Sequence, residues 1–474
     1  MESATSSSLS TMVSPSIITI KPKTVIRIER DYSKGELCQF KNDFPKEINE
    51  RVSPMRFKET IDKLNELLKE ADNPKYSWFE NCLACITLYS SILCIRSHYD
   101  KMVEEICFFL NDENLNCYNE LGVNFRDPQI GLKYPIVSAP MARVTSVELA
   151  VEVSLAGGLG YMSADDIEKD LIKAKELLSS SLNNKEEGDL LVLPIGVGVL
   201  TFDLDNHPET LSTILKYKPA AIWFSFGDYS KYVKLVRESS PKTKIISHIQ
   251  SIDMLVKNMT STPSSNYSSV DVLIVQSSES GGHGAVKGGN LITLLPESID
   301  KLKELHQDKK INSIPPVLAA GGISDGRGLV AALSLGASGI VMGTRFIASK
   351  ESLSPDNAKS LIINTNDGNN NTIRTKVFDK LKNIPWPGEF DGRALRNQTT
   401  DIILDNDKEK EEFERIKKNY FGGVKNKDYS YVEIYAGSGV GLVKEELSAK
   451  EIVESTIKSA GKVIDELNHL FHHE

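Results

Sequence analysis

Two short glycine-containing segments follow predicted apolar strands in the second half of the chain. The segment AAGGISDGRG contains Gly321 and Gly322, and the segment VMGTRF contains Gly343 and Thr344. One glycine after a strand often only makes a turn, but backbone N–H groups in two such loops can approach phosphate oxygens closely. No G-x-G-x-x-G motif opens a strand–helix–strand unit for a dinucleotide. The two loops therefore predict a ligand that carries a terminal monophosphate.

Three further polar side chains follow predicted strands and could take part in chemistry. Gln276 ends one strand and can donate or accept hydrogen bonds. His283 lies in the following GGHG loop, where it could donate a proton or only hold the loop by hydrogen bonding. His248 ends another predicted strand, and a lone histidine at a strand end is more often structural. We therefore favour His283 over His248 as the histidine of the site.

The elements that must position these residues begin near residue 131, where short apolar strands start to alternate with helical segments. This alternation is typical of a parallel α/β architecture. Eight strand–helix units favour a closed (β/α)8 TIM barrel, with its functional groups where each strand ends, over an open doubly wound sheet. The open sheet remains the alternative if one strand is misread. The predicted strands are 135–139, 158–162, 193–198, 220–225, 244–248, 271–276, 316–320 and 338–342.

Three segments follow or interrupt the barrel pattern. The Asn-rich segment 361–373 is expected to be a surface loop, and 383–397 an ordered appendage over the site. Ser448 and Glu451 have the spacing of a capping box ahead of an amphipathic helix. We expect this helix to pack on the barrel as a carboxyl-terminal helical appendage.

The residues before the barrel predict a small α-rich α+β module at 25–130, preceded by a disordered, Ser- and Thr-rich tail at 1–24. Ser53 can cap a helix in which Pro54 suits the first position, and the apolar residues that follow fall on one face. The predicted elements of this module are a strand at 24–30 and helices at 53–71, 77–95 and 100–118.

All six cysteines of the chain precede residue 118, which suggests two modules of different origin. Cys82 and Cys85 form a C-x-x-C pair, but a zinc site needs two further ligands and the sequence has no second such pair. A thioredoxin-like motif needs a strand–helix–strand context, which is absent here. From the residues alone, these two thiols are expected to be buried on a helix face, and no metal site is predicted.

Charge and hydropathy exclude several classes of function. The formal net charge of -9 offers no basic stripe for nucleic acid. No apolar run reaches the ~18–20 residues of a membrane span. The first twenty residues lack the charged start and apolar run of a secretory signal, so we expect the chain to begin in the cytosol.

Four motifs in order resemble the nitronate monooxygenase (2-nitropropane dioxygenase) family. They are the run at 134–160, QSSESGGHG at 276–284, the run at 319–346 and YAGSGVGLV at 435–443. The resemblance covers about 131–470 of the predicted domain 131–474. It implies FMN as cofactor, one-electron or hydride chemistry at the flavin, and no metal. The flavin contacts that it implies are Ala139, Pro140, Met141, Gln276, Gly281, Gly282, Gly321, Gly322, Gly343 and Thr344.

The sequence departs from that family at the fourth strand. Members that oxidise neutral nitroalkanes have a histidine in an S-F-H-F-G motif, whereas this chain has Ser225 between Phe224 and Phe226. A serine hydroxyl has no useful basicity near neutral pH and cannot remove a carbon-bound proton unaided. An already ionised nitronate needs no such base. We therefore expect Ser225 and His283 at the catalytic positions and an anionic substrate.

Blocks of the amino-terminal module resemble the golgin subfamily A member seven family, which supplies accessory subunits to palmitoyltransferases that modify Ras. They are ERDYSKGELCQF at 29–40, FPKEINERV at 44–52, the helix at 57–71 and NCLAC at 81–85. The resemblance implies a partner, the membrane palmitoyltransferase catalytic subunit, at the cytosolic face of the Golgi or endoplasmic reticulum. It also implies S-acylation of Cys82 and Cys85, an alternative to buried thiols.

Three hypotheses for the whole chain follow. The first is an FMN enzyme that oxidises a nitronate or a similar anion with O2. The second is an NAD(P)H-dependent flavin reductase on the same barrel. The third is an accessory subunit of a membrane palmitoyltransferase that carries the barrel as a passenger.

Overall fold

The computed structural model describes residues 28, 40–49, 51–71, 106, 109–110, 113, 132, 134–163, 166–181, 192–260, 270–311, 314–401 and 409–471. The chain divides into two compact units, Met1–Gly131 and Leu132–Glu474. The predicted tail at 1–24, the predicted helix at 77–95, Cys82 and Cys85 lie outside the described residues, and so do most of the predicted strand at 24–30 and of the predicted helix at 100–118.

The described part of the amino-terminal unit centres on one amphipathic helix. The helix predicted at 53–71 is confirmed as α1 (Pro54–Ala71). The Ser53 hydroxyl accepts a hydrogen bond from Arg56 N at 3.2 Å, which satisfies an N–H group that the helix start leaves free. Phe57 is buried on the apolar face, and its ring contacts Phe44 edge to face at 5.5 Å. A 3-10 turn, Lys46–Ile48, precedes the helix.

The second unit is built on a barrel of parallel strands, and each of the eight predicted strands is confirmed. The barrel strands are β1 (Ile136–Ser138), β2 (Tyr161–Ser163), β3 (Leu193–Leu200), β4 (Pro219–Ser225), β5 (Lys244–Ile249), β6 (Val272–Gln276), β8 (Val317–Ala320) and β9 (Gly339–Met342). Around the barrel the strand order is β1-β9-β8-β6-β5-β4-β3-β2. A parallel bridge between Val137 and Leu159 joins β1 to the residues just before β2, so the barrel closes.

Helices follow or surround the barrel strands. No helix among the described residues is long and apolar enough to cross a lipid bilayer. The helices of this unit are α2 (Val147–Leu155), α3 (Ile167–Ser181), α4 (Pro208–Lys216), α5 (Ser230–Ser239), α6 (Ile252–Thr260), α7 (Leu291–Gln307), α8 (Gly326–Ser334), α9 (Thr344–Ile347), α10 (Asp356–Asn364), α11 (Gly368–Asn371), α12 (Val377–Lys382), α13 (Glu409–Asn426) and α14 (Ala449–Phe471).

Both faces of the barrel strands are apolar because one face fills the interior and the other packs under the helices. Tyr161, Trp223 and Ile246 belong to the interior cluster. Their neighbours Phe224 and Ile245 belong to the larger cluster under the helices. The interior is packed, since the Tyr161 and Trp223 rings meet edge to face at 5.7 Å. Side chains near the strand ends are therefore those that can reach a ligand.

A second sheet combines two strands that follow the barrel with one from the loop after β6, and it was not predicted. Strands β10 (Thr372–Thr375), β11 (Phe390–Leu395) and β7 (Gly282–Ala285) pair antiparallel in that order. The expectation of a surface loop at 361–373 is wrong, because α10, α11 and the start of β10 occupy these residues. Asp367 adopts a left-handed conformation and caps α11 by accepting from Asn370 N, so the Asn-rich run is ordered by local hydrogen bonds. The expected appendage at 383–397 contains β11.

The carboxyl-terminal helix begins with the predicted capping box. Ser448 N donates to Glu451 Oε2 at 2.8 Å, and Glu451 N donates to Ser448 Oγ at 3.2 Å. The helix packs on α8, where a Cβ added to Gly326 would clash with the backbone of Ser459 at 2.6 Å. The packing of α14 on the barrel is therefore confirmed.

Candidate active site at the carboxyl ends of the barrel strands

The carboxyl ends of β1 and β9 bring three of the predicted ligand-binding residues together. Ala139 N donates to the Met342 carbonyl at 2.9 Å, which ties the end of β1 to β9. A Cβ added to Gly343 would lie 3.5 Å from Ala139 Cβ and 3.7 Å from Met141 Sδ. We use the term "mouth" for these strand ends and the loops that follow them.

Pro140 lies against β3, and this contact requires a glycine. A Cβ added to Gly198 would clash with the Pro140 ring. The turn after β1 therefore depends on two residues. Pro140 packs against β3, and Gly198, 58 positions later in the sequence, leaves room for its ring.

The predicted phosphate loop after β8 has the backbone conformation that glycine favours. Gly321 and Gly322 have φ angles of 109° and 72°, which side chains other than glycine rarely adopt. A Cβ added to Gly321 would clash with the Ser277 hydroxyl and lie 2.5 Å from that of Ser280. The loops after β6 and β8 are thus in close contact at the mouth.

The segment 437–439 ties three of these loops together. Gly437 N donates to Thr344 Oγ1 at 2.9 Å, and Ser438 N donates to the Glu279 carbonyl at 3.0 Å. The Ser324 hydroxyl donates to the Gly439 carbonyl at 3.1 Å. Thr344, a predicted ligand contact, already accepts one hydrogen bond from the protein. The two glycines of this segment were available in the sequence as a signal of close backbone approach.

The loop between β6 and β7 contains a buried hydroxyl without a partner in the described part of the chain and an open backbone position. The Ser280 hydroxyl is buried and has no hydrogen-bond partner among the described residues. Gly282 has a φ of 72°, and no atom lies within 4 Å of a Cβ added to it. A Cβ added to Gly281 would lie 2.5 Å from Gly437 N, so these two glycines pack closely together. A free hydroxyl donor beside uncovered glycine backbone is the kind of surface that binds anionic oxygens.

The Gln276 side chain makes a hydrogen bond within the protein that the sequence did not predict. Its Nε2 donates to the His283 carbonyl at 3.0 Å. The side-chain amide therefore holds the start of β7 against the end of β6. Its oxygen remains as a possible acceptor for a ligand.

Ser225 and His248 lie side by side at the ends of β4 and β5. Both side chains are 8% exposed. Trp223 Nε1 donates to His248 Nδ1 at 3.1 Å, and the Phe226 ring meets the imidazole edge to face at 4.8 Å. Burial lowers the pKa of His248 from 6.5 to about 4, so the ring is neutral near pH 7.

His283 is held from three sides. Its Nε2 lies 3.0 Å from both carboxylate oxygens of Asp379. The imidazole stacks on the Trp386 indole with centroids 3.7 Å apart and planes 5° apart, and the Tyr435 ring lies at 5.3 Å. The side chains of His283 and Asp379 are 11% and 8% exposed. The imidazole is therefore fixed in orientation, with Nδ1 making no hydrogen bond within the described part of the chain.

Asp379 and Trp386 are site residues that sequence reasoning missed. Both come from the segment 372–395, which we call the appendage and which includes β10, α12 and β11. Asp379 follows His283 by 96 positions, and no motif links the two. The same two residues line a cavity of about 590 Å³. Its lining consists of Lys376, Asp379, Lys380, Asn383, Ile384, Pro385, Trp386, Phe390 and Phe413.

Phe226 contacts His248 and the Trp386 indole that stacks on His283. This residue follows Ser225 and has a φ of 55°, a conformation that is uncommon for an aromatic residue. Its ring meets both His248 at 4.8 Å and Trp386 at 5.0 Å. Strained backbone of this kind persists where surrounding packing holds it, often at functional sites. Phe226 also contacts the Phe390 ring at 5.0 Å, so aromatic contacts connect the mouth to the appendage.

Comparison with known proteins agrees with both resemblances. The nitronate monooxygenase family matches residues 126–459, and the golgin subfamily A member 7/ERF4 family matches residues 25–131. A nitronate monooxygenase of Metarhizium robertsii is 35% identical over 347 residues, which cover 69% of this chain and 91% of that protein. Golgin subfamily A member 7 of Gallus gallus is 40% identical over 102 residues, 21% of this chain and 74% of that protein.

Among solved structures, FabK from Thermotoga maritima has a TM-score of 0.53 and 25% sequence identity, with 72% of this chain and 97% of that chain covered. The fold, the strand-end site and the sequence matches lead to one assignment. This chain belongs to the nitronate monooxygenase family of oxidoreductases through its barrel and to the golgin subfamily A member 7/ERF4 family through its amino-terminal module.

Proposed function

We propose that the barrel is an FMN-dependent oxidoreductase that oxidises alkyl nitronates with O2. The observation that carries the proposal is the mouth: a glycine-lined surface with a free Ser280 hydroxyl, at the strand ends where barrels of this type bind phosphates. The relative from Metarhizium robertsii is named a nitronate monooxygenase. Both support a flavin phosphate at this end of the barrel.

The residues that would hold FMN form two groups. The phosphate would lie at the backbone N–H groups of Gly321, Gly322, Gly343 and Thr344, in the loops that follow β8 and β9. The ring system would lie near Ala139, Pro140, Met141, Gln276, Gly281 and Gly282. When bound, FMN would accept electrons from the substrate and pass them to O2. The protein residues bind and orient the reactants.

Because Ser225 is not a base, the site should use a substrate that is already ionised. Serine is a poor base near neutral pH, so a neutral nitroalkane would keep its carbon-bound proton at this site. His248, the nearest imidazole on the adjoining strand, has its Nδ1 engaged by Trp223. A nitronate arrives already deprotonated and needs no base. The site therefore fits the anion better than its parent nitro compound.

His283 is the proposed proton-transfer residue of the site. Asp379 holds Nε2, which leaves Nδ1 as the nitrogen that can donate or accept a proton. The stacked Trp386 keeps the ring plane fixed. A histidine oriented by a carboxylate is a common arrangement for general acid–base catalysis.

The test uses the purified full-length chain. We expect bound flavin, released as FMN on denaturation, and oxygen consumption with an alkyl nitronate but none above background with the neutral nitroalkane. Oxidation of the neutral compound at a similar rate would show that another base serves the site. Flavin that is reduced by NAD(P)H, with no activity on either nitro form, would favour the reductase hypothesis instead. A barrel without flavin would leave the passenger hypothesis.

For the amino-terminal module we propose a second function, as an adaptor for the catalytic subunit of a membrane palmitoyltransferase. The observation that supports it is the golgin subfamily A member 7/ERF4 match over residues 25–131. In this proposal the module binds at the cytosolic face of the Golgi or endoplasmic reticulum, and acyl chains on Cys82 and Cys85 contribute to membrane binding.

The adaptor proposal is tested by cell fractionation of the full-length chain. We expect part of the protein in the membrane fraction, with less in a Cys82→Ser/Cys85→Ser double variant. A single acyl chain binds membranes only marginally, so co-purification with the catalytic subunit is measured alongside. A wholly cytosolic, unacylated protein in cells that contain such a subunit would contradict the proposal.

A further inference from the structure

His248 faces the interior of the barrel beside the serine that departs from the family pattern. Strands β4 and β5 pair in parallel, and Phe224 of β4 lies opposite Ser247 of β5. The residues that follow them, Ser225 and His248, are therefore neighbours across the two strands. Side chains alternate along a strand, and Trp223, two residues before Ser225, belongs to the interior cluster. Ser225 and His248 therefore share the interior layer closest to the mouth.

The contact with Trp223 fixes which nitrogen of His248 carries the proton. An indole N–H can only donate a hydrogen bond, so the hydrogen bond of 3.1 Å requires a lone pair on His248 Nδ1. The buried ring is neutral near pH 7, because burial lowers its pKa to about 4. The single proton of the neutral imidazole must then lie on Nε2. That N–H makes no hydrogen bond within the described residues.

We propose that His248 Nε2–H donates a hydrogen bond to a negatively charged oxygen of the nitronate, and that Trp223 is the residue that positions it for this role. The proposal rests on the proposed function of the barrel. Because Nε2 has no lone pair in this tautomer, His248 recognises an anion that is already formed and does not remove the carbon-bound proton. The residue at the end of β5 thus determines specificity for the ionised form of the substrate.

The first experiment compares His248→Phe and His248→Gln in the full-length chain. Phe keeps ring volume without an N–H, whereas Gln keeps an N–H at similar reach. We expect His248→Phe to lower kcat/KM for the nitronate by about 10- to 100-fold, as expected for one hydrogen bond to a charged group, and His248→Gln to restore most of the loss. Flavin content should be unchanged in both variants.

His306→Phe provides a matched control, since His306 lies near the end of α7 and contacts the Ile311 carbonyl. Nitronate kcat/KM should remain within about threefold of the starting protein in this variant, while one ordinary hydrogen bond is lost. If His248→Phe also stays within that range, the proposal is overturned while the proposed function stands.

A second readout separates this proposal from the proposed function. Nitrite shares the planar O–N–O unit of a nitronate, and its binding is followed by the change in flavin absorbance. If the protein holds flavin but does not oxidise nitronates, the proposed function is wrong. Weaker nitrite binding in His248→Phe, by about 10-fold, would then still support the donor role, and equal binding would overturn it.

The role of Trp223 is tested by the tautomer itself. In ¹⁵N-labelled protein, we expect the His248 signals to show a protonated Nε2 and an unprotonated Nδ1, assigned by their loss in His248→Gln. Trp223→Phe should produce a mixture of tautomers, which a purely structural role for the indole would not do. A protonated Nδ1 in the unmodified protein would overturn the assignment.

Discussion

The two histidines near the mouth are held in different ways. His248 is fixed by the neighbouring strand, because β4 and β5 set its register and Trp223, 25 positions away in sequence, occupies its Nδ1. His283 is fixed by the appendage, because Asp379 and Trp386 reach it from 96 and 103 positions further along the chain. The barrel positions His248 through the regular pairing of its strands, whereas the appendage positions His283 through two particular side chains. Changes at the strand ends should therefore alter which ligand binds, and changes in the appendage should alter how well one histidine works.

The largest expected effect is a gain of activity at a strand end. Ser225→His places an imidazole where the family has its base, and general-base catalysis contributes about 10²–10⁴-fold. We expect oxygen consumption with a neutral nitroalkane to rise by that range, with little change for the nitronate. The unmodified protein and a Ser225→Asn variant, which adds bulk without a base, serve as controls. No gain in a variant that retains flavin would mean that the end of β4 does not face the substrate.

A charge in the phosphate loop should have the next largest effect. Gly322→Asp adds a carboxylate at a residue with φ 72°, beside the proposed position of the flavin phosphate. We expect flavin affinity to fall by at least about 100-fold, because the carboxylate and the phosphate repel each other. Gly322→Asn has nearly the same shape, tolerates the left-handed conformation and carries no charge. It should retain much more flavin. Equal retention by both variants, measured by absorbance after gel filtration, would place the phosphate elsewhere.

The appendage should have a smaller effect on catalysis. Asp379→Asn removes the charge that orients His283 Nε2, and we expect kcat/KM to fall by about 10-fold with flavin binding unchanged. Asp391→Asn is the matched control, because Asp391 lies in the same appendage but pairs with Arg374. If both variants lose the same activity, the effect is one of appendage stability. If neither loses activity, His283 does not take part in the reaction.

The smallest expected effect concerns stability and pH. The pKa of His248 is about 4 in the folded protein and near 6.5 in an unfolded chain. Between these two values the unfolded state binds the extra proton, so folding stability falls as pH is lowered from 6.5 to 4. The loss through this one residue reaches about 3 kcal/mol at the lower end.

His248→Phe should remove that part of the pH dependence. The variant and the unmodified protein are compared by the melting temperature of the barrel from pH 7 to pH 4. We expect the difference between them to shift by several degrees in favour of the variant as the pH falls. Parallel curves would indicate that His248 is protonated in the folded protein. The tautomer argument would then apply only at higher pH.

Much of the barrel was predictable because its signals are local and repeat along the chain. Each of the eight predicted strands is present, since an apolar run between turn residues is sufficient to mark a strand that is buried on both faces. The capping box at Ser448 and Glu451 was likewise readable from two residues three positions apart. Gln276 ends β6, and Gly321 and Gly343 directly follow β8 and β9, as the sequence pattern predicted.

The Asn-rich segment and the second sheet were not predictable in the same way. The Asn-rich composition of 361–373 favoured a loop, whereas capping by Asp367 and pairing of β10 with β11 order the segment. β7 was read as a loop because its residues, GHGA, contain no strand pattern and pair only with a distant strand. Short polar strands depend on their partners, which a single stretch of sequence does not reveal.

The sequence by itself determined the barrel, the family of each module and the glycine loops, because these depend on hydrophobic periodicity and on residue types that have few alternatives. Only the tertiary structure decided which residues hold the two histidines. The partner of His283 comes from the appendage, and the hydrogen bond to His248 Nδ1 comes from an indole on the neighbouring strand. Hydrogen bonds between side chains depend on distances of a few tenths of an ångström, and these are set by packing that no local pattern encodes.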